Sequence, residues 1–528
     1  MCRGRRVTTV VLLLALLALL APAFAASRKP TRQADNSRKL EHDLQQVLTD
    51  PAVARGFWGV YAVSLDSGRP IYALNEDKLF TPASNAKLFT TAAVFGLIGP
   101  DYRFKTTVET FGSLDKYGRL NSDLVLVGRG DPNLSGRTLP YNLRTERKAP
   151  PIQVLQTLAD QLVLHGLKYI DGDVVADDSY YVFERYGEGW SQDDLAREWG
   201  APVSALTVND NVIFVDIKPA DRPGERAFLN ITPFSEYYKI DNRVMTTPQG
   251  TGPRTVSINR EPGSSQLTFW GNIPQDDPGF GEALAIEDPA DFTARLFRQL
   301  LEERGVTIYG RARVRHTELA STRTFSVTSI ASGGGDASRS TVPAPLVLAS
   351  YESQPVGQDL RVINKVSQNL HAELMLRLLG KEKGTSGSIE GGLEVLRGFL
   401  VNAGIKPDQF AFYDGSGLSR EDLVTPLAVV TLLQYCRQQS WGQLYESTLP
   451  VAGVDGSLAD RFRNTPAAGR VHGKTGSLSH VFSLAGYATT QNGQHIAFSV
   501  MTNNSNLPAK KALDTIDRIV ELLVEDKK

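Results

Sequence analysis

The pattern of apolar and polar positions predicts two strands followed by a helix near the start of the chain. Residues 57–65 and 70–74 are rich in strand-forming residues and flank Asp66-Ser67-Gly68, a turn sequence that predicts a hairpin. Residues 84–98 then take on helical character. This order places Ser84 at the start of a helix.

The middle and the end of the chain show two further patterns. Between about residues 101 and 341, short β-like runs are separated by glycine, proline, asparagine and aspartate, with one helical stretch at 291–304. Residues 332–340 have the composition of a linker. Three helical patterns follow, then two β-rich runs and a closing helix that we expect to pack on them: helices at 362–379, 389–403 and 425–438, and strands at 482–489 and 495–502.

Residues 1–25 have the pattern of a secretory signal peptide. A basic start leads into an apolar run and an A-x-A sequence. A membrane anchor is the alternative, but the run is shorter than the roughly 20 residues that span a bilayer. We therefore expect an exported protein, periplasmic or otherwise extracytoplasmic, with no transmembrane span after signal removal, and peripheral membrane association stays open. The polar residues 29–36 predict a flexible linker, and an amphipathic stretch around Leu40 and Leu44 predicts a helix.

Composition narrows the classes of function. The chain has 528 residues, enough for about two to four domains. Its 57 Lys plus Arg against 58 Asp plus Glu provide no basic field for nucleic acid, so we expect no nucleic-acid partner. Cys2 leaves with the signal, and Cys436 lies in an apolar helical pattern that predicts a buried thiol without a disulfide. The seven histidines lack metal-ligand spacing, so we predict no metal and no cofactor.

Three short motifs stand in order: Ser84-Asn85-Ala86-Lys87, Ser367-Gln368-Asn369 and Lys474-Thr475-Gly476. They match the S-x-x-K, S-x-N and K-T-G set of penicillin-recognising serine enzymes. The first two patterns also occur at 113–116 and 257–259, whereas K-T-G occurs once. Context favours the first set, because a helix that begins at Ser84 places that serine and Lys87 on one face. The alternative for Ser84 alone is an ordinary helix N-cap.

These residue types suit acyl transfer through a covalent serine intermediate. A lysine is a poor base at its usual pKa, but a second cation helps: Lys474 at roughly 6 Å would lower the pKa of Lys87 by about two units. Lys87 could then accept the proton of Ser84. Ser367 would relay a proton toward the leaving amine, and Asn369 would hold the substrate amide.

The K-T-G motif suits recognition of a terminal carboxylate. Lys474 would contribute charge and Thr475 a hydroxyl. Gly476 would allow the backbone to approach closely, so that a larger residue would be costly there. The alternative for Lys474 alone is a solvated charge at the start of an edge strand.

These motifs resemble those of the class C low-molecular-mass penicillin-binding proteins, the D-alanyl-D-alanine carboxypeptidase/endopeptidase family. Five further stretches are similar to the family's sequences, at 128–132, 177–180, 200–205, 414–419 and 465–469. The resemblance implies an α/β (α+β) transpeptidase-like domain, an antiparallel sheet with helices on both faces, interrupted by large β-rich insertion domains. The implied division is a signal peptide, a first transpeptidase-like part, two β-rich insertions and a second transpeptidase-like part, at residues 1–25, 26–100, 101–214, 215–344 and 345–528. Nesting of the second insertion within the first is the alternative.

The resemblance also implies an activity and a substrate. It points to a serine-type D-Ala-D-Ala carboxypeptidase and endopeptidase that acts on peptidoglycan peptides and is acylated by β-lactam antibiotics. The backbone N–H groups of Ser84 and Ser477 would form the oxyanion hole. Asp177, Tyr181 and Arg420 would line a pocket for a diaminopimelate side chain, because an acid and an arginine suit its ammonium and carboxylate groups.

Two other functions stay open at this level. A β-lactamase shares the acylation chemistry but needs rapid deacylation, and residues 401–420 contain no glutamate that would direct a water. A non-catalytic wall-binding or sensor protein is the second alternative. The presence of both Ser84 and Lys87 disfavours it.

Overall fold

The computed structural model describes residues 32–137, 150–319 and 344–525. The predicted signal peptide and the linker-like residues 332–340 lie outside these ranges. The helices of the described residues are α1 (Arg32–Leu48), α2 (Ala86–Leu97), α3 (Gln153–Leu164), α4 (Pro289–Glu303), α5 (Val356–Val366), α6 (Asn369–Lys383), α7 (Ile389–Asn402), α8 (Pro426–Gln438), α9 (Gly442–Ser447) and α10 (Ala509–Glu525).

The strands of the described residues are numbered in chain order. They are β1 (Phe57–Ser64), β2 (Pro70–Leu74), β3 (Lys105–Thr110), β4 (Arg119–Leu120), β5 (Leu124–Val127), β6 (Tyr169–Ile170), β7 (Val174–Val182), β8 (Val212–Lys218), β9 (Phe228–Thr232), β10 (Lys239–Thr247), β11 (Ser257–Asn259), β12 (Gln266–Pro274), β13 (Phe280–Ala285), β14 (Thr307–Ile308), β15 (Ala312–Thr317), β16 (Leu346–Glu352), β17 (Phe410–Ala411), β18 (Leu423–Val424), β19 (Val471–Leu478), β20 (Val481–Thr489) and β21 (His495–Asn503).

The central sheet has five antiparallel strands in the order β19, β20, β21, β1, β2. Its inner strand β20 is buried along almost its whole length, because helices cover both faces. Leu44 of α1 and Ile516 of α10 belong to the core on one face. Phe89 of α2 and Val429 of α8 belong to the core on the other. This antiparallel sheet with helices on both faces confirms the predicted fold class.

The predicted β-rich middle is also present, with its own core. Strands β15, β7, β5, β3 and β16 form a mixed five-stranded sheet, against which α3 and α4 pack. Two three-stranded sheets follow, in the orders β13-β8-β9 and β10-β12-β11. Their apolar side chains, such as Leu155, Ile213 and Phe297, form a core separate from those around the central sheet.

Two predicted domain boundaries do not coincide with the sheets. The division after residue 214 falls inside β8, a continuous strand that pairs with both β9 and β13. The boundary at residue 345 separates β16 from β3, although these two strands pair over their length. Domain boundaries usually fall in exposed linkers and not within a sheet. Both predicted boundaries therefore fall where strands of one sheet pair across them.

Three predicted elements differ from the structure. Helix α1 begins at Arg32, inside the predicted linker. Helix α3 was missed within the β-textured region, although Val154, Leu158 and Leu162 recur at helical spacing on its buried face. The single helix predicted at 362–379 is two helices, α5 and α6, because Ser367 between them has a left-handed backbone with φ of 64°.

Candidate active site

Ser84 lies in a short 3₁₀ turn, Ala83–Asn85, that leads directly into α2. Residues 86–95 of this helix are all buried, so Lys87 is carried into the interior one turn after the serine. Lys87 Nζ lies 3.0 Å from Ser84 Oγ. The i, i+3 spacing that the sequence showed therefore brings the two side chains into direct contact.

Lys87 has three partners around its amine. Besides Ser84 Oγ, Nζ lies 2.6 Å from Asn369 Oδ1 and 2.6 Å from the carbonyl oxygen of Ser416. A fully buried lysine needs such partners, because an unpaired amine in the interior would be costly. Three contacts match the number of positions around a lysine nitrogen. The amine is therefore held in one place against the serine hydroxyl.

The Ser416 carbonyl is presented by a loop that is built around the buried Asp414. Its carboxylate accepts hydrogen bonds from the backbone N–H groups of Ser416, Gly417 and Ser419, at 3.1, 2.6 and 2.7 Å. Gly417 has φ of 78°, and a Cβ there would lie only 1.9 Å from the carbonyl oxygen of Ala83. Only glycine allows this loop to approach the 3₁₀ turn at Ala83–Asn85 so closely.

The S-x-N motif lies where α5 ends and α6 begins. The left-handed conformation of Ser367 breaks the helix and leaves its hydroxyl 2.8 Å from Lys474 Nζ. Asn369 stands at the first turn of α6, where its Oδ1 contacts Lys87 and its Nδ2 donates to the carbonyl of Trp199 at 2.8 Å. The two motif side chains thus contact one lysine each.

Lys474, on β19, is fully buried. Burial, together with the neighbouring Lys87 cation, holds the pKa of Lys474 well below its usual range. The lowered pKa thus belongs to Lys474, whereas the sequence prediction concerned the pKa of Lys87. Lys474 Nζ donates to Ser367 Oγ and to the Thr475 carbonyl, at 2.8 and 2.9 Å.

Gly476 lies where β19 passes the nucleophile turn. A Cβ at this position would lie 2.3 Å from Ser483 Oγ, 2.8 Å from the Pro82 carbonyl oxygen and 3.1 Å from the Ser84 nitrogen. The absence of a side chain therefore lets the strand run directly beside the backbone N–H of Ser84. Ser477, the next residue, is exposed on the same strand.

A buried polar network supports the S-x-N motif from behind. His371, two residues after Asn369, lies with Nδ1 2.8 Å from Asp359 Oδ1 and Nε2 3.1 Å from Asp210 Oδ1. Gln368 Nε2 also reaches Asp210, at 3.4 Å from Oδ2. Asp210 belongs to a turn in which three consecutive residues have φ of 53°. Such strained backbone persists only where its surroundings hold it in place.

The three residues predicted to line a side-chain pocket lie apart from the catalytic contacts. Asp177 is nearly buried, and its carboxylate is 2.8 Å from Arg315 Nη1. Tyr181 is buried, and its hydroxyl lies close to Gly130. Arg420 is exposed in the loop after Ser419. Asp177 thus lies in an ion pair on β7, Tyr181 packs in the core that contains Phe89, and the Arg420 backbone N–H donates to the Gly189 carbonyl at 3.3 Å.

The segment that does border the catalytic residues from the insertion was not predicted. Its Trp199 is 44% exposed. The backbone carbonyl of Trp199 accepts the hydrogen bond from Asn369 Nδ2, and its indole N–H donates to Asp194 Oδ1 at 2.7 Å. Trp190 in the same segment donates to Asp414 at 2.8 Å. The only sequence signal for this segment is that residues 187–200 are rich in tryptophan, aspartate and glycine. These residues follow neither a helical nor a strand period, so they predict no element that could be placed near the motifs. The Ser416 carbonyl could not be identified as a functional group from a side-chain motif, since it is backbone.

Within residues 32–137, 150–319 and 344–525, no group of three or more His, Cys, Asp or Glu side chains is arranged to hold a metal ion. Cys436 is fully buried, as its apolar setting predicted. No helix of these ranges has the length and hydropathy that a membrane span requires.

Comparison with known proteins assigns the chain to a family. The sequence matches the D-Ala-D-Ala carboxypeptidase 3 (S13) family over residues 40–331 and 334–525. It is 32% identical to a D-alanyl-D-alanine carboxypeptidase of Actinomadura sp. (strain R39), over 92% of this chain and 85% of that protein. It is 26% identical to the penicillin-sensitive carboxypeptidase A of Dictyostelium discoideum, over 98% of both chains. The crystal structure of penicillin binding protein 4 from Haemophilus influenzae is similar in fold, with a TM-score of 0.74 and 23% identity over 91% of this chain and 98% of that one.

Proposed function

The chain belongs to the D-Ala-D-Ala carboxypeptidase 3 (S13) family, and we propose that it performs the reaction of that family with Ser84 as nucleophile and Lys87 as general base. It is a serine-type D-Ala-D-Ala carboxypeptidase, a hydrolase of peptidoglycan peptides that binds penicillin. One observation carries the assignment of residues. The amine of a fully buried lysine lies 3.0 Å from a serine hydroxyl at a helix start.

The contacts of Lys87 suit a neutral amine that accepts a proton. Two of its N–H groups donate to Asn369 Oδ1 and the Ser416 carbonyl, both of which can only accept. The nitrogen lone pair then faces Ser84 Oγ. When the serine attacks the carbonyl carbon of the scissile amide, its proton passes to this lone pair. The resulting ammonium keeps the same three contacts, so the transfer needs no rearrangement.

Lys474 favours a state in which only one of the two lysines is charged. Burial and its neighbour Lys87 hold the pKa of Lys474 well below its usual range. A bound substrate carboxylate would favour the charged form of Lys474, and repulsion would then favour neutral Lys87. Ser367, 2.8 Å from Lys474 Nζ, is placed to pass a proton to the leaving amine.

The oxyanion would form beside β19. Donors from the backbone N–H groups of Ser84 and Ser477 would face each other across the position that Gly476 leaves open. Loss of the leaving D-alanine yields an ester on Ser84, and water then hydrolyses that ester with Lys87 as base. A β-lactam would acylate the same hydroxyl, but its ring-opened acyl group stays attached and obstructs water.

We also propose that the enzyme cleaves peptide cross-links and reads the substrate side chain with residues at the rim of the cleft. Asp194 offers an acid on the segment that contacts Asn369 through Trp199, and Arg420 offers a base on the loop whose backbone N–H donates to the Gly189 carbonyl of the same segment. An ammonium and a carboxylate on one side chain would suit this pair. Such substrates lie outside the cytoplasm, in agreement with the export that residues 1–25 predict.

The test is acylation by benzylpenicillin, followed over time by intact mass. We expect a persistent one-to-one adduct on the wild-type protein and none on Ser84→Ala. The matched control is Ser113→Ala, which removes the serine of the other S-x-x-K sequence and should label like wild type. An adduct on Ser84→Ala would place the nucleophile elsewhere. Rapid drug hydrolysis without a lasting adduct would favour a β-lactamase.

A further inference from the structure

A tight turn at residues 455–457 forms a wall of the cleft beside the K-T-G strand. Its Asp455 carboxylate is held by Lys365 of α5, whose Nζ lies 2.7 Å from both carboxylate oxygens. The same carboxylate accepts from the backbone N–H of Val451 at 2.8 Å. Lys365 is almost fully buried, so this ion pair is shielded from solvent. The turn is thereby fixed to the helix that ends at Ser367.

Gly456 sets how closely the turn lies on that helix. It has φ of 58°, and a Cβ there would lie 2.5 Å from the carbonyl oxygen of Lys365. A larger residue would be strained in its backbone and would clash with the end of α5. The two anchors together place the next residue, Ser457, at a defined position above β19.

Ser457 Oγ lies 2.7 Å from Thr475 Oγ1. Each hydroxyl carries one proton, and only one of the two can donate in this contact. A carboxylate accepts hydrogen bonds and donates none, so a threonine that binds one must point its proton at it. Thr475 can do so while keeping its contact with Ser457 only if Ser457 is the donor.

We propose that Ser457 is a positioning residue that directs the Thr475 hydroxyl proton toward the terminal carboxylate of the substrate. This role rests on the proposed function, in which Thr475 and Lys474 bind that carboxylate. Ser457 donates to Thr475 Oγ1, and Thr475 in turn donates to the substrate. The Asp455–Ser457 turn is then a fourth element of the site, anchored on α5 through Lys365.

The exposure of Ser457 separates this role from a structural one. The side chain is exposed in the cleft wall, and the anchors of the turn are Asp455 and Gly456. Removal of one exposed hydroxyl should leave the fold intact, because surface substitutions cost little. The consequence should instead appear in substrate recognition.

The experiment compares Ser457→Ala with wild type on two peptides that differ in one group. One ends in D-Ala-D-Ala with a free carboxylate, and the other carries a C-terminal carboxamide. We expect KM for the carboxylate peptide to rise about fivefold or more, with kcat changed less, since a hydrogen bond to a charged group is weakened. The carboxamide peptide should lose less than twofold. Ser457→Thr, which keeps the hydroxyl, should restore the carboxylate preference.

Two controls make the outcome decisive. Ser447→Ala removes another exposed serine hydroxyl, which donates to the Leu444 carbonyl within α9, and it should change the kinetics of neither peptide. Benzylpenicillin labelling of wild type and Ser457→Ala is measured in parallel. If both label and the two peptides respond equally to Ser457→Ala, the positioning role is wrong while the proposed function stands. If wild type does not label, the proposed function fails and this role fails with it.

Discussion

Replacement of Arg377 by methionine should destabilise the protein strongly, because it breaks a buried ion pair beneath the catalytic loop. The side chains of Arg377 and Glu373 are 1% and 0% exposed, and Arg377 Nη1 lies 2.9 Å from Glu373 Oε2. Methionine has similar length but no charge, so the carboxylate loses its cation. Loss of one partner of such a pair costs about 3 to 5 kcal/mol in the free energy of unfolding.

The pH dependence of this variant has a defined sign. Burial, and then the neighbouring Asp414, raise the pKa of Glu373, whereas Arg377 lowers it. Without the arginine the pKa of Glu373 rises further above its unfolded value. Protonation in the folded state then relieves the unpaired charge at low pH, and this relief is lost as pH rises through the folded pKa. The loss of stability in Arg377→Met should therefore be greater at pH 8 than at pH 5.

The assay is urea unfolding at both pH values, followed by tryptophan fluorescence. The double variant Arg377→Met, Glu373→Gln should regain about 2 kcal/mol or more at pH 8, because the amide removes the charge and keeps an oxygen for the Gly415 N–H, now 2.9 Å from Glu373 Oε1. Lys510→Met is the exposed control. This substitution breaks the ion pair between Lys510 and Asp514, whose side chains are 87% and 58% exposed respectively. It should lower the free energy of unfolding by less than about 1 kcal/mol.

Two results would refute this reasoning. One is an Arg377→Met protein within about 1 kcal/mol of wild type at pH 8, which would mean that the pair is not desolvated as the structure shows. The other is the absence of recovery in the double variant. That result would assign the loss to packing around the arginine stem and not to the unpaired carboxylate.

Two further predictions concern the groups around the motifs. Burial alone would lower the pKa of His371, but Asp359 and Asp210 raise it to about 9, above the unfolded value of about 6.5. Its stabilising contribution, about 3 kcal/mol, is therefore complete below pH 6.5 and is lost as pH rises through 9. Against the effect of burial, Asp178 and Asp288 also raise the pKa of His316, to about 10, so NMR spectra should show two imidazoles that stay protonated to pH 8. The signal that His371→Gln removes belongs to His371, and titration of that signal near 6.5 would contradict the prediction. Gly417→Ala should slow penicillin acylation at least about tenfold, because its Cβ would lie 1.9 Å from the Ala83 carbonyl oxygen. Gly453 is the control, because it has a similar φ of 69° but a Cβ built there lies 3.6 Å from its nearest atom. Gly453→Ala should therefore be acylated at the normal rate. Equal slowing in both variants would mean that backbone strain, and not the clash, is responsible.

The contact between Ser84 and Lys87 was predictable because its sequence signals are local. The change from strand to helix character located the helix start, and the i, i+3 spacing of Ser84 and Lys87 survives in any helical turn. The K-T-G strand was predictable for a similar reason. Gly476 is where the chain must approach another backbone, and the structure shows three atoms within 3.1 Å of a Cβ built there.

The conformation of Ser367 could not be predicted, because the apolar spacing continues across it. Val362, Ile363, Leu370 and Leu374 are all buried, and they continue a helical pattern from α5 into α6 with no glycine or proline at the break. The left-handed backbone at Ser367 comes with tertiary contacts, to Lys474 in front and through Gln368 to Asp210 behind. Sequence periodicity reports burial and not such contacts.

Residues of the β-rich middle contact the motif residues of the candidate site directly. The insertion reaches the S-x-N motif twice, through the Trp199 carbonyl that accepts the Asn369 amide at 2.8 Å and through Asp210, which contacts Gln368 and His371. It reaches the loop that presents the Ser416 carbonyl through the Trp190 indole, 2.8 Å from Asp414.

Two of the three partners of Lys87 are therefore held in place by residues from the insertion. Asn369 Oδ1 and the Ser416 carbonyl accept the N–H groups that leave the lone pair of a neutral amine directed at Ser84. A lysine amine rotates freely about its last bond, so without fixed acceptors its lone pair would face the serine only part of the time. The insertion, which lies within the 283 positions from Ser84 to Ser367, thus contributes to the orientation of the Lys87 amine.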